Sequence, residues 1–483
     1  MKSNFSKSSE KRSKTGIEAL GEFVKGRSAA VIGIGVSNAP LISLLHYLGA
    51  SKISARDKKD ISETAAKYKF SDMGVEIVSG EGYLSRLNED IIIRTPGIRP
   101  DKEEFEEARK NGSIVCGETE LFIKYCPCKT IAITGSAGKT TTTTLVSKFL
   151  EADGKNVFLG GNIGRPLLPL IGEMKENDIA VCELSSFQLM DFDVSPDICI
   201  VTNISENHLD WHTDMDEYIE SKKNIFKFQN KGSVCVINAC DPVVKEFAAD
   251  IPGKVRYFSS EGNNFDGDGI FLENGAFYRK EKKSITKLFD RTELLLPGKH
   301  NCENLMASMC AVYGEVTDKV CLDVASSFGG VEHRMELCGE INGIKFYNSS
   351  IDTSPARTTA ALNSFDGRIV LICGGYDKNL SYESLGKLIC EKVKVCVMCG
   401  QTSEKIHSAI VNADNFEGNK DKIILYRASD FEEAVRTAYN NATEGDKVVL
   451  SPASASFDMF KNFEERAHVF KKLVSHIISS ERR

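Results

Sequence analysis

Short apolar runs alternate along this chain with longer amphipathic stretches, the rhythm that parallel sheets covered by helices impose. The first block opens at Ser28-Ala-Ala-Val-Ile-Gly-Ile-Gly35, a strand running into glycines. A helix follows over Leu41–Leu48, then strand Lys52–Asp57 and a further strand, Asp90-Ile-Ile-Ile-Arg-Thr-Pro-Gly97. A second block starts at Lys129-Thr-Ile-Ala-Ile-Thr134. It continues through Asp178–Glu183, Asp197–Thr202, Val234–Ile237 and Val255–Phe258, and a helix after Leu296-Pro-Gly298 closes it. The third has strands at Ile344–Tyr347, Ile369–Cys373, Val393–Met398, Ile423–Leu425 and Val448–Leu450, then a last helix over about Phe460–Ile478. The pattern predicts an α/β protein of three domains, each a mostly parallel sheet with flanking helices. The divisions fall at 1–117, 118–330 and 331–483.

Composition narrows the function classes. The 483 residues carry 61 Lys+Arg against 68 Asp+Glu, a net charge of −7, which argues against binding nucleic acid by bulk charge. No apolar run reaches the roughly 18 residues of a membrane span. The basic, polar stretch 1–16 lacks an apolar h-region, so it reads as a disordered leader rather than a secretory signal. The 15 cysteines are scattered, many within apolar strands, as expected of reduced thiols in a cytoplasmic protein. Cys396-Val-Met-Cys399 has redox or zinc spacing, but it lies in such a strand without a second pair. His208 and His212 are four apart, yet no Glu follows His208 as a zinc protease requires.

The strongest chemical signal is Thr134-Gly-Ser-Ala-Gly-Lys-Thr140, after a buried strand and before a helix. Gly135, Ser136, Ala137 and Gly138 would curl the backbone so that its N–H groups meet phosphate. Lys139 would reach the β/γ-phosphates, and the hydroxyl of Thr140, which Thr141 follows, suits Mg²⁺. The loop is shorter than the usual Walker pattern, with Ile133 where its first glycine would stand. Glu183 ends the next buried strand, a position suited to the metal, and His208 lies just beyond a third. Gly33-Ile-Gly35-Val-Ser-Asn38, with Asp57 further on, carries part of a dinucleotide fingerprint, with Asn38 in place of its third glycine.

These runs, together with Glu183-Leu-Ser-Ser-Phe-Gln188, Asn207-His-Leu-Asp210, Leu296-Pro-Gly-Lys-His-Asn301 and Glu332-His-Arg334, resemble the Mur ligase family in order and over almost the whole chain. Ser451-Pro-Ala-Ser-Ala-Ser456, Phe460-Lys-Asn-Phe463, Gly374-Gly-Tyr-Asp-Lys378 and Asn348-Ser-Ser-Ile-Asp-Thr-Ser-Pro355 resemble its D-glutamate-adding branch. The Asp-Asn-Pro-Arg run of the diaminopimelate- or lysine-adding branch is absent.

The resemblance implies Rossmann-like N- and C-terminal domains around a P-loop ATPase-like central one, and an ATP-dependent ligase of peptidoglycan synthesis that binds no nucleic acid or membrane and acts as a monomer in the cytoplasm. Its substrates would be UDP-N-acetylmuramoyl-L-alanine and D-glutamate. It places ATP between the second and third domains, with Lys139, Thr140, Asn301, Asn304 and Arg334 as contacts. Two Mg²⁺ sites would draw on Thr140, Glu183, His208 and Lys222, the last as an N6-carboxylated lysine, with Lys223 the alternative one position on. It gives the uridine diphosphate substrate to Ser37, Asp57, Thr95, Pro96, Gly97 and Asn162, and D-glutamate to Thr353, Lys378, Ser456 and Phe463. One departure stands out: the family's Asn-Asp-Ser reads Asn348-Ser349-Ser350 here, and Asp352 follows. Asp352 is therefore expected to take over the ATP ribose contact from the missing carboxylate beside Ser349. Thr213 and Asp216 are the expected caps of the helix bearing Lys222. Rival readings are another Mur ligase, a folylpolyglutamate synthase-like amide ligase, or a non-catalytic nucleotide-binding regulator.

Overall fold

The computed structural model describes residues 15–35, 38–208, 211–295 and 298–481. The chain separates into two compact units, one reaching to Glu293 and including Cys302–Ala325, the other formed by Leu294–Asn301 and Ser326–Arg483.

The first unit holds two sheets. Strands β1 (Ser28–Ile32), β2 (Lys52–Asp57), β3 (Glu76–Ser79), β4 (Ile91–Arg94) and β5 (Ile114–Gly117) pair in parallel in the order β3-β2-β1-β4-β5. Residues of β1 alternate between two apolar clusters, Ala29 and Val31 in one, Ala30 and Ile32 in the other, so both faces are covered. The strand order reverses between β1 and β4, and their carboxyl ends open a crevice suited to a ligand.

The second sheet contains β6 (Lys129–Thr134), β7 (Val157–Gly161), β8 (Ile179–Glu183), β9 (Ile198–Val201), β10 (Val234–Asn238), β11 (Lys254–Ser259), β12 (Asp268–Glu273), β13 (Ala276–Glu281) and β14 (Ser284–Asp290). Its order is β14-β13-β12-β11-β10-β9-β6-β8-β7, parallel except for the meander β12-β13-β14. Strand β6 is thus flanked by β8 and β9, and the carboxyl ends of all three are adjacent. One apolar cluster runs from Leu20 and Phe122 to Cys199 and Val244, joining the first two sheets in a continuous core.

In the second unit, β15 (Glu336–Ile341), β16 (Ile344–Asn348), β17 (Ile369–Cys373), β18 (Val393–Met398), β19 (Ile424–Arg427) and β20 (Lys447–Leu450) form the sheet β15-β16-β20-β17-β18-β19, with β15 antiparallel. Ile369, Leu371 and Cys373 pack on Leu385, Ile389 and Ile410. Val370 and Ile372 face Phe431, Val435, Phe470 and Val474 on the other side. No helix among the described residues is long and apolar enough to cross a membrane.

The final helix spans Phe463–Glu481, three residues later at each end than the pattern suggested. The helix Met215–Lys227 is capped by Asp214, whose carboxylate accepts from Glu217 N at 2.8 Å, and not by Thr213 or Asp216. Thr213 donates its own N–H to Glu217 instead.

Candidate active site

The phosphate loop runs from the end of β6 into the helix Lys139–Ala152, which Leu145, Val146, Phe149 and Leu150 anchor in the core. Gly135 has φ 142° and Gly138 φ 83°, and a Cβ at either would overlap Thr202 Oγ1 or Asn304 Oδ1. Only glycine lets the backbone curl this tightly. The curl is fixed from the neighbouring strand end: Asn203 Oδ1 accepts from Ala137 N (2.8 Å), Asn203 O from Ser136 N (2.9 Å), and Thr202 Oγ1 donates to Ala137 O (2.6 Å). The Lys139 ammonium folds back over the loop and donates to Gly135 O (2.8 Å) and Ser136 O (3.1 Å). Asn304, buried on the helix Lys299–Val312, faces Thr142 at 3.3 Å.

Glu183 is buried, and its two carboxylate oxygens accept from Thr140 Oγ1 and Asn162 Nδ2, both at 2.8 Å. A hydroxyl and a carboxylate meeting beside a phosphate loop are hard oxygen donors of the kind that would suit Mg²⁺. Lys222 is only 1 % exposed, and its Nζ donates to Gly135 O (2.9 Å) and sits 4.7 Å from the Tyr218 ring centre. Burial and the nearby Lys139 charge push the Lys222 amine well below the ordinary lysine range. Lys223 instead points to Glu220 (3.0 Å) and Asp250 (3.2 Å) on the surface. His208, exposed and at φ 56°, packs edge-on against Phe187 with ring centres 4.8 Å apart. Its neighbour His212 is buried between Ser186 Oγ (2.9 Å) and Glu217 Oε2 (3.2 Å). Glu217 is held down to about 2 by Arg99.

At the ends of β1 and β4, the Asp57 carboxylate accepts from Ile34 N (2.7 Å), and Asn38 donates to Ile32 O and Gly33 O (3.1 Å each). Thr95 N pairs with Ile32 O, bringing the Thr95-Pro96-Gly97 turn beside the glycine loop. A small cleft opens here, lined by Asn38, Arg94, Pro96, Thr119, Gly161 and Gln188 among others. Ser37 lies outside the described residues, as do Asp210, Leu296 and Pro297 of the motifs above.

In the second unit, the loops after β16, β17 and β20 meet at one edge of the sheet. Tyr376 N bonds Ala455 O (2.9 Å), and Gly374 N bonds Pro452 O (2.8 Å). Asp352 is 6 % exposed, not a solvated carboxylate. It accepts from Ser451 Oγ at 2.8 Å and from the Ser349 hydroxyl, and burial raises it to about 6. Ser456 is buried; Thr353 and Phe463 are half-buried; Lys378 is exposed, its Nζ 5.9 Å from the Phe457 ring centre. Arg334 lies near enough to Asp352 and His300 to act on both electrostatically, and Asn301 lies in the first turn of the helix that begins at Lys299.

Residues 133–312 match the Mur ligase middle domain, and 333–454 match the Mur ligase glutamate ligase domain. The chain belongs to the Mur ligase family. Among its relatives are the UDP-N-acetylmuramoylalanine–D-glutamate ligases of Acetivibrio thermocellus, 45 % identical over 94 % of this chain and 97 % of that one, and of Ruminiclostridium cellulolyticum, 44 % identical over 95 % and 99 %. The UDP-N-acetylmuramate-alanine ligase of Thermotoga maritima shares the fold of this Mur ligase, with a TM-score of 0.54 at 17 % identity, covering 94 % of this chain and all of that one.

For this Mur ligase the structure brings Gly135, Ser136, Ala137, Gly138, Lys139, Thr140, Glu183, Asn162 and Lys222 into one contiguous cluster. It also joins Ser349 to Asp352. His208 lies one loop away, and among the described residues no three His, Cys, Asp or Glu side chains gather as a metal cage. Residues overlooked in the sequence include Tyr218, whose hydroxyl meets Ser136 Oγ at 2.8 Å, and Arg466, buried beneath the loops of the second unit. The helical spacing of Tyr218 and Lys222, four apart, was the available signal for the first.

Proposed function

We propose that this Mur ligase joins the carboxyl of UDP-N-acetylmuramoyl-L-alanine to the amine of D-glutamate, driven by ATP, in cytoplasmic peptidoglycan synthesis. The observation that carries the reading is identity of 43–45 % over nearly the full length to ligases of that name. A complete phosphate loop backed by Glu183 and Lys222 supports it.

A free carboxylate does not form an amide in water without activation. A carboxylate oxygen of the alanyl group attacks the γ-phosphorus of ATP, and ADP leaves. The amine of D-glutamate then attacks the acyl phosphate carbon, and inorganic phosphate departs. The loop N–H groups of Gly135–Gly138, with Lys139, Thr140 and Thr141, hold the phosphates, so the protein's part is positioning and charge neutralisation. Asn301, Asn304 and Arg334 complete the nucleotide contacts, and Ser349 with Asp352 serves the ribose.

Mg²⁺, held by Thr140, Glu183, His208 and a carboxylated Lys222, would neutralise charge on the transferred phosphoryl group. The residues fit that assignment, because carboxylation needs an uncharged amine and burial keeps Lys222 toward that form. Ser37, Asp57, Thr95, Pro96, Gly97 and Asn162 bind the muramoyl substrate; Thr353, Lys378, Ser456 and Phe463 bind D-glutamate. Residues 1–117 bind the UDP substrate, helped by Asn162, residues 118–330 bind ATP, and residues 331–483 bind the amino acid while adding Arg334, Ser349 and Asp352 to the nucleotide contacts; the enzyme acts as a monomer. The test is isotopic. With ¹⁸O in the alanyl carboxylate, the acyl-phosphate route transfers one label into inorganic phosphate; unlabelled phosphate would rule that route out.

A further inference from the structure

Arg466 is 1 % exposed, and among the described residues its guanidinium forms no ion pair. A buried charge normally demands an opposite one. Here every bond goes to a neutral group. Nε donates to Ser350 Oγ (3.0 Å) and one terminal nitrogen to Ser350 O (2.9 Å). The other donates to Ser454 O (3.2 Å) and Ala455 O (3.1 Å). Burial lowers the group to about 10, still charged at neutral pH. Asp352 and Asp458 act on it only electrostatically, as does the buried thiol of Cys399.

The acceptors belong to the loops that follow β16 and β20. Ser350 Oγ in turn donates to Phe463 O (2.8 Å), which ties the first turn of the last helix into the same knot. The loop after β17 joins through the pairing of Tyr376 with Ala455. Ala453, within the bonded stretch, has φ 58°, a strained conformation for alanine that neighbouring bonds must hold. Thr353, Lys378, Ser456 and Phe463 all stand on these segments.

We propose that Arg466 is the positioning residue of the amino-acid site: its fork sets the loops after β16 and β20 in register, the loop after β17 is joined to them through Ala455, and the arginine thereby places the residues that receive an anionic amino acid. The inference rests on the assignment of these loops to D-glutamate. A planar, five-donor group suits this task, and lysine's single ammonium cannot reach the same set of acceptors.

The test compares Arg466→Lys, Arg466→Gln and Ser350→Ala in the full chain, with kcat, all three KM values and the melting temperature measured for each. The expected result is a KM for D-glutamate raised about tenfold in R466K and further in R466Q, with the KM values for ATP and the muramoyl substrate within about twofold. S350A, which removes one acceptor and keeps the arginine, should move the same KM a few-fold and covers the case in which R466Q does not fold. Unchanged KM values, or an equal rise in all three, would overturn the proposal. If the wild-type chain ligates another amino acid, the D-glutamate reading fails, and the same selectivity measured with that amino acid still decides the role of Arg466.

Discussion

Replacing Asp352 by Asn separates what the buried carboxylate does for stability from what it does for ATP. Asp352 is raised from 3.8 to about 6 because burial outweighs the hydrogen bonds from Ser349 and Ser451. An acid raised by folding is disfavoured in its charged form by the native state. The penalty is absent below the unfolded value of 3.8, grows as pH rises, and is complete above about 6. At about 1.4 kcal/mol per pH unit it amounts to roughly 3 kcal/mol at neutral pH. Asn keeps the shape and an acceptor for Ser451, so D352N should be more stable than wild type at pH 7.5, by less than that sum because one acceptor oxygen is lost. At pH 4.5 the penalty has fallen to about a third, so the gap should narrow. Differential scanning calorimetry of both proteins at the two pH values reads this directly. The same variant should bind ATP less well, with a KM raised severalfold, because the hydroxyl of Ser349 loses the charge behind it. A gap in melting temperature that does not change with pH would refute the linkage argument. An unchanged KM for ATP would refute the ribose role, leaving Ser349 to serve the ribose alone.

Four substitutions probe the remaining assignments. Lys139→Ala should abolish ligation, a loss of several kcal/mol of transition-state stabilisation, while calorimetric binding of the muramoyl substrate is retained; near-normal turnover would remove the loop from the chemistry. Lys222→Ala should be nearly inactive and partly rescued by short carboxylic acids in the assay, whereas Lys223→Ala, which removes two ion pairs to Glu220 and Asp250 away from the loop, should keep most activity; full activity of K222A without rescue contradicts the role. Lys378→Ala should raise the KM for D-glutamate by about tenfold or more and leave that for ATP alone, and equal effects on both would point to a folding defect.

The long apolar strands were legible because burial on both faces leaves a continuous apolar run, as in Ile369–Cys373. Strands β12, β13 and β14 escaped because charged residues bound or interrupt their short apolar runs, Asp268 and Glu273 in β12, Arg279, Lys280 and Glu281 in β13, and Lys287 and Asp290 in β14, and β15 because a half-exposed edge strand carries no such run. The phosphate loop could be read since its glycines, lysine and threonine are consecutive and lie between a strand and a helix. The choice between Lys222 and Lys223 could not be made from composition; it follows from which side of the helix faces Gly135. Arg466 gave no signal at all, because an arginine in a helix rich in charge reads as solvated until the folded loops close over it. The ion pair of Arg94 with Asp191, 97 residues apart in sequence, was hidden for the same reason.

The most direct test of the central claim is ADP release by the purified chain with ATP, Mg²⁺ and UDP-N-acetylmuramoyl-L-alanine across a panel of amino acids, with the product identified by mass. The account predicts release that requires the muramoyl substrate and is fastest by far with D-glutamate, accompanied by a product heavier by one glutamyl residue. Release independent of the amino acid, or a preference for L-alanine, L-lysine or diaminopimelate, would contradict it.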